Sequence, residues 1–231
     1  MTVGRKATGT GASASGAPGA IPTERGRRTR AALVVAAKRV FERDGYLEAR
    51  ISDISKTAKV AHGTFYTYFT SKEEIFREVI TAVQAELLAG QARDNRQTVD
   101  RGVTSDEDPI GRIEAANRAY LAGYRQNAKL LGLMEQVSTF NDDLRRMRLD
   151  MRQAFVTRAA RAITRWQAAG RADPTLDPWY AANALCNMVD RFAYTWLVLG
   201  EYFEEERAVV NLTRLWAHAL QLEPTAATSR L

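Results

Sequence analysis

Cysteine and histidine are almost missing from the 231 residues, which hold one cysteine, Cys186, and two histidines, His62 and His218. A single thiol excludes an intramolecular disulfide and fits a reducing compartment. His218 has no acidic or cysteine neighbour at ligand spacing, and the chain contains no HExxH, no CxxC and no glycine-rich phosphate loop. Those absences argue against an enzyme and against a bound cofactor or metal. No apolar run reaches the roughly 20 residues that cross a bilayer. Residues 1–20 lack the apolar core of a secretory signal, so a cytoplasmic protein with no membrane partner is expected. No segment shows convincing strand alternation, which leaves an all-α fold.

Net charge is also small, at +6, but it is concentrated. The first 30 residues carry six Lys/Arg (Arg5, Lys6, Arg25, Arg27, Arg28, Arg30) against Glu24, which is +5 of the +6. A basic arm on a near-neutral body suits a polyanion such as DNA better than an anionic membrane.

What the sequence does have is helical periodicity. Residues 1–28 show none and read as a flexible basic tail. From Thr29 an apolar stripe of Leu33, Val34, Ala37, Val40 and Phe41 runs to Gly45. A short helix over Ile51–Ala58, a tight turn and a second short helix over Ala61–Thr67 follow. Ser71-Lys72-Glu73-Glu74 is a capping box that opens a longer helix to about Ala92. Residues 93–108 read as a polar linker. Asp108-Pro109 and Asp177-Pro178 each pair an N-cap with proline at the first helical position. They start helices expected to end near Tyr124 and Gly200. Between them, a short helix spans Lys129–Ser138. The strongest seam, Leu144, Met147, Met151, Phe155, Ala159, Ile163 and Trp166, predicts a helix of some 25 residues ended by Gly170. A last helix covers about Glu204–Leu222. The expected organisation is a tail (1–28), a helix-turn-helix domain (29–75), a helical effector-binding and dimerisation domain (76–222) and a C-terminal tail (223–231), with about nine helices in all.

Helix, tight turn, helix over Ile51–Thr67 has helix-turn-helix spacing. In that motif the N-terminal end of the second helix meets base edges in the major groove. Here that end presents His62, Gly63 and Thr64. Gly63 lets the helix approach the duplex, and His62 and Thr64 can hydrogen-bond to bases or phosphates. Tyr66, Tyr68 and Lys72 lie where a phenol or ammonium clamps phosphate, setting position rather than sequence preference. Arg27, Arg28 and Arg30 form an arm suited to the minor groove. Phe65 and Phe69 are expected to face the core.

The run Asp53-Ile54 … Ala58-Lys59-Val60-Ala61-His62-Gly63-Thr64-Phe65-Tyr66-Thr67-Tyr68-Phe69-Thr70-Ser71-Lys72-Glu73-Glu74-Ile75 resembles the DNA-binding domain of the tetracycline-repressor (TetR) family. The resemblance covers residues 29–80; the body behind matches only in helix number and order. It implies a homodimeric transcriptional regulator, usually a repressor. Such a regulator binds a near-palindromic double-stranded operator and is released by a small ligand held in the C-terminal domain. It also implies DNA-contact roles for Thr64, Tyr66 and Lys72. Two positions depart from the family pattern. Arg50 stands where a Ser or Thr cap is usual, and it can touch phosphate instead. Ala61 stands where Ser is usual, at a cost of roughly 1 kcal/mol in cap stability.

In the body, the last two helices are heavily aromatic. Phe192, Trp196, Leu199, Leu212, Leu215 and Trp216 are candidates for the dimer interface. Tyr120, Tyr124, Met134, Met151, Phe155, Trp166, Asn183, Asn187 and Asp190 are candidates to line an effector cavity. Their mixture of apolar walls and a few polar fixtures suits a hydrophobic or amphipathic small molecule. Cys186 reads as a buried structural residue. An activator, a ligand-independent DNA-binding protein and a helical protein–protein adaptor remain open alternatives.

Overall fold

The computed structural model describes residues 23–100 and 108–223, without the side chains of 91–100. The expected tail up to residue 22, residues 101–107 of the expected linker, and the C-terminal tail from 224 lie outside the described residues. Among the described residues there are nine helices and no strand. They are α1 (Glu24–Glu48), α2 (Ile51–Thr57), α3 (His62–Tyr68), α4 (Lys72–Asp100), α5 (Pro109–Gln126), α6 (Ala128–Val137), α7 (Asp142–Ala168), α8 (Pro178–Leu197) and α9 (Glu205–Ala219).

Local chemistry explains most of the boundaries. Thr23 caps α1 by accepting from the Gly26 amide at 3.1 Å, five residues before the expected start. Gly45 interrupts α1 at φ 76°, a conformation that L side chains rarely adopt. Asp108 caps α5 by accepting from the Gly111 amide, and Asp177 caps α8 by accepting from the Trp179 and Tyr180 amides. Gly170, at φ 67°, follows the end of α7. Ser71 caps the Glu74 amide at 3.1 Å, while the Glu74 carboxylate reaches back to the amide and hydroxyl of Thr70. The α4 helix continues to Asp100 through residues read as linker.

Two buried clusters hold the molecule together. The first joins α1–α4 to α6 and the start of α7, with Leu33, Phe41, Ile54, Phe65, Phe69, Phe76, Leu130 and Leu144 essentially sealed from solvent. Each such side chain contributes about 1.5–3 kcal/mol. The second joins α5, α7, α8 and α9 around Leu121, Ile163, Ala193 and Val209. The first cluster runs through Ile75, Phe76, Val79, Ile80, Val83 and Leu87 without a break, so packing does not divide at residue 75. Asn127, fully buried, ties the parts together. Its Oδ1 accepts from Lys38 of α1 at 2.7 Å, and its Nδ2 donates to Glu86 of α4 at 3.3 Å.

Candidate nucleic-acid interface and adjoining cavity

The α2–turn–α3 unit is built on Ile54 and Phe65, which face inward, with the turn closed by Lys59 at φ 57°. The Lys59 amide donates to Lys56 O at 3.1 Å and the Val60 amide to Ser55 O at 3.0 Å, the two bonds of a left-handed helix stop. Neither Arg50 nor Ala61, the N-caps of α2 and α3, makes a side-chain cap bond. The open end of α3 therefore keeps orphan amides that can meet phosphate.

At that end His62 and Gly63 are exposed and Thr64 is half-buried. A Cβ added to Gly63 would meet nothing within 4 Å, so the glycine is not required by packing within the chain. Tyr66 is 52% exposed and stands edge-on to His62, ring centroids 5.5 Å apart. These four residues form one outward surface, while Phe65 and Phe69 are buried as expected.

The other expected DNA contacts have partners inside the chain. Lys72 Nζ donates to the Tyr46 and Leu47 carbonyls at 2.9 and 3.1 Å and lies over the Tyr46 ring. It ties the end of α1 to the start of α4. Arg30 pairs with Glu78 at 2.7 Å and covers the Phe69 ring. Arg27 and Arg28 lie within α1 and both pair with Glu24, rather than on a tail. Tyr68 is half-buried, with its hydroxyl against Gly26.

A cavity of about 180 Å³ lies in the body. It is walled by Leu87 of α4, by α5–α8 and by Trp216 of α9. Of the candidates, Tyr120, Tyr124, Met134, Met151, Phe155, Trp166, Asn187 and Asp190 line it. Asn183 does not; it accepts from Arg152 and donates to the Trp179 carbonyl. Arg112, Asn117, Glu135, Arg148, Arg152, Arg158 and Cys186 also line the cavity, and none of them was singled out as a lining residue from sequence. The Tyr120 hydroxyl donates to Asp190 at 2.8 Å, and burial together with that carboxylate raises the phenol pKa well above its ordinary value. Burial pushes the partly buried Cys186 thiol up to about 12. Arg148 is paired with Glu135. The indole Nε1 atoms of Trp166 and Trp216 are buried without a hydrogen-bond partner among the described residues.

The candidate interface residues divide. Leu199 and Leu215 are exposed, whereas Leu212 and Trp216 are buried in the second cluster of their own chain. Phe192 and Trp196 are half-buried; both pack on Phe203, and Arg125 covers the Trp196 ring. Met188, Phe192, Tyr202 and Leu215 border a groove between α8 and α9.

The sealed helix-turn-helix with its outward His62–Tyr66 surface, carried on a larger helical body, defines a DNA-binding transcriptional regulator. Residues 33–79 match the bacterial regulatory proteins of the tetR family. The HTH-type transcriptional regulator TtgR of Pseudomonas putida is 26% identical over 192 residues, 77% of this chain and 84% of the relative. The fatty acid degradation regulator FadR of Bacillus halodurans shares the fold, with TM-score 0.67 and 19% identity over 84% of this chain and 97% of that one. A Saccharomonospora viridis protein solved in complex with choline gives TM-score 0.69 and 19% identity, over 86% and 100%. The chain belongs to the TetR family of helix-turn-helix transcriptional regulators.

Proposed function

We propose that the protein is a cytoplasmic, homodimeric repressor that leaves a near-palindromic operator when a small hydrophobic or amphipathic effector enters the cavity. One observation carries this reading: α4 is shared between the two halves. Its first turns, Ile75, Phe76 and Val79, pack in the core that seats α2 and α3, and three turns further on Leu87 lines the cavity. A ligand that displaces Leu87 therefore acts on the same rigid element that positions the recognition helix. The buried Lys38–Asn127–Glu86 bridge makes a second connection between α1 and the body. An effector shifts the equilibrium only by its preference for the DNA-incompetent state, and a shared helix supplies a physical basis for such a preference.

A recognition helix of seven residues covers little DNA, so two copies related by a two-fold axis are expected on one operator. Exposed Leu199 and Leu215, with the α8–α9 groove beside them, form the surface best suited to that pairing. Selection of genomic fragments by the purified protein at near-physiological salt tests the proposal. Recovery of one palindromic motif supports it; retention of fragments without a shared motif, or no retention, refutes sequence-specific repression.

A further inference from the structure

Arg112 and Arg158 line the cavity and also line a second depression on the outer side of α7, together with Arg161, Arg165 and Asp150. The cavity and this groove are thus neighbours across two arginines. Four arginines against one carboxylate set the sign of the groove, and four arginines against two carboxylates set that of the cavity. A cationic ligand is disfavoured on both counts.

We propose that the effector is an acyl amphiphile with a phosphate-bearing head: its apolar end enters the cavity, and its head lies along the arginine groove of α7. The proposal rests on the effector-cavity reading above and narrows its chemistry. Three further observations support it. The cavity, at about 180 Å³, is smaller than the roughly 300–1,000 Å³ of sites that enclose a drug-sized molecule, so much of a larger ligand must lie outside it. Arg158 and Arg165 are two helical turns apart, about 10 Å. A lone carboxylate does not span that length, whereas phosphates spaced along a head do, and guanidinium groups hold phosphate through paired hydrogen bonds. Finally, the buried Trp166 and Trp216 indoles, on the cavity wall, each carry an N–H without a partner among the described residues. An acyl carbonyl can accept from such a donor and remove the cost of leaving it unpaired. Burial also depresses the Arg158 pKa, a penalty that a nearby anion offsets.

The test is calorimetric titration of the full chain with octanoyl-coenzyme A, octanoate, coenzyme A and choline. Octanoyl-coenzyme A is expected to bind at least ten-fold more tightly than each of the others. Arg161→Ala with Arg165→Ala, both at exposed positions, should remove that advantage and leave octanoate affinity unchanged, with thermal melting checking the fold. Equal affinity for octanoate and its thioester, an advantage that survives the double substitution, tighter binding of choline, or no heat with any probe overturns the proposal. Ala159→Trp, which fills the cavity, separates the two readings. If it leaves every affinity unchanged, the cavity is not the binding site and the effector-cavity reading fails. If it abolishes octanoate binding while the head group confers no advantage, only the phosphate-bearing head is refuted.

Discussion

Gly123 of α5 faces Leu87 of α4 so closely that a Cβ on the glycine would stand 2.7 Å from Leu87 Cδ2. Leu87 is also the α4 residue on the cavity wall. Gly123→Ala therefore forces the Leu87 side chain to move. The clash is with the end of a flexible side chain, costing about 1–3 kcal/mol at most, and the gain in helix propensity returns about 1 kcal/mol. Stability in urea is expected to change little, while the effector concentration for half-release from operator shifts several-fold. An unchanged release curve would remove Leu87 from the coupling path.

Lys72 has a structural duty that its neighbours on the DNA-facing surface do not share. It donates to the Tyr46 and Leu47 carbonyls, whereas Tyr66 and His62 touch only each other and Phe65 among the described aromatic contacts. Lys72→Ala should lower stability by about 1–2 kcal/mol, since hydrogen bonds from a charged donor contribute about 1.5–3 kcal/mol and this one is partly exposed. Tyr66→Phe should leave the urea midpoint alone and weaken all duplexes evenly. His62→Ala should cost more on the cognate duplex than on a scrambled one; equal losses would deny His62 a base-reading role.

These contrasts show what was legible in the sequence. The helix-turn-helix was, because its buried positions, its tight turn and the Gly-Thr-Phe-Tyr run are local features. The Asp-Pro helix starts were legible for the same reason. Partner choice was not. The apolar stripe of α9 identifies a buried face, but it cannot say whether Leu212 and Trp216 meet their own bundle or a second copy; they meet their own bundle. Arginines such as Arg112 and Arg158 read as solvated surface, because only tertiary packing brings their long side chains to a cavity. Thr23 and Glu24 extend α1 backwards through a cap and i, i+3 and i, i+4 ion pairs. That places Arg27 and Arg28 on a helix rather than on an arm.

The Arg30–Glu78 pair gives the protein an acid-sensitive joint between α1 and α4. The hydrogen bond from Arg30 holds the Glu78 carboxyl below its ordinary 4.5, and Thr70 does the same for Glu74. A carboxyl depressed in the folded state stabilises the fold fully above its unfolded value, and that contribution is lost as pH falls through the folded value. Unfolding free energy should therefore decline from about pH 5 downward, and Glu78→Gln should make that decline shallower. Both partners are partly exposed, so the pair is worth about 0.2–1 kcal/mol. Urea titrations of both proteins at neutral pH and near pH 3.5 measure the difference; parallel declines would show that Glu78 is not part of the acid response.

The shared α4 helix makes a prediction about distance. A dimer that fits two successive major grooves must hold its recognition helices about 34–36 Å apart, one turn of the duplex. Leu87 sits at the far end of the segment that seats α3, so a small displacement at the cavity tilts the DNA-binding unit and is magnified at its outer face. Spin labels at Thr67, an exposed position on α3, report the separation of the two copies. Effector is expected to move the main distance away from the operator-fitting value, and operator DNA should restore it, because the two ligands favour opposite states of one equilibrium. A distribution that effector leaves unchanged, under conditions where it still releases DNA, would mean that release does not work through the spacing of the recognition helices.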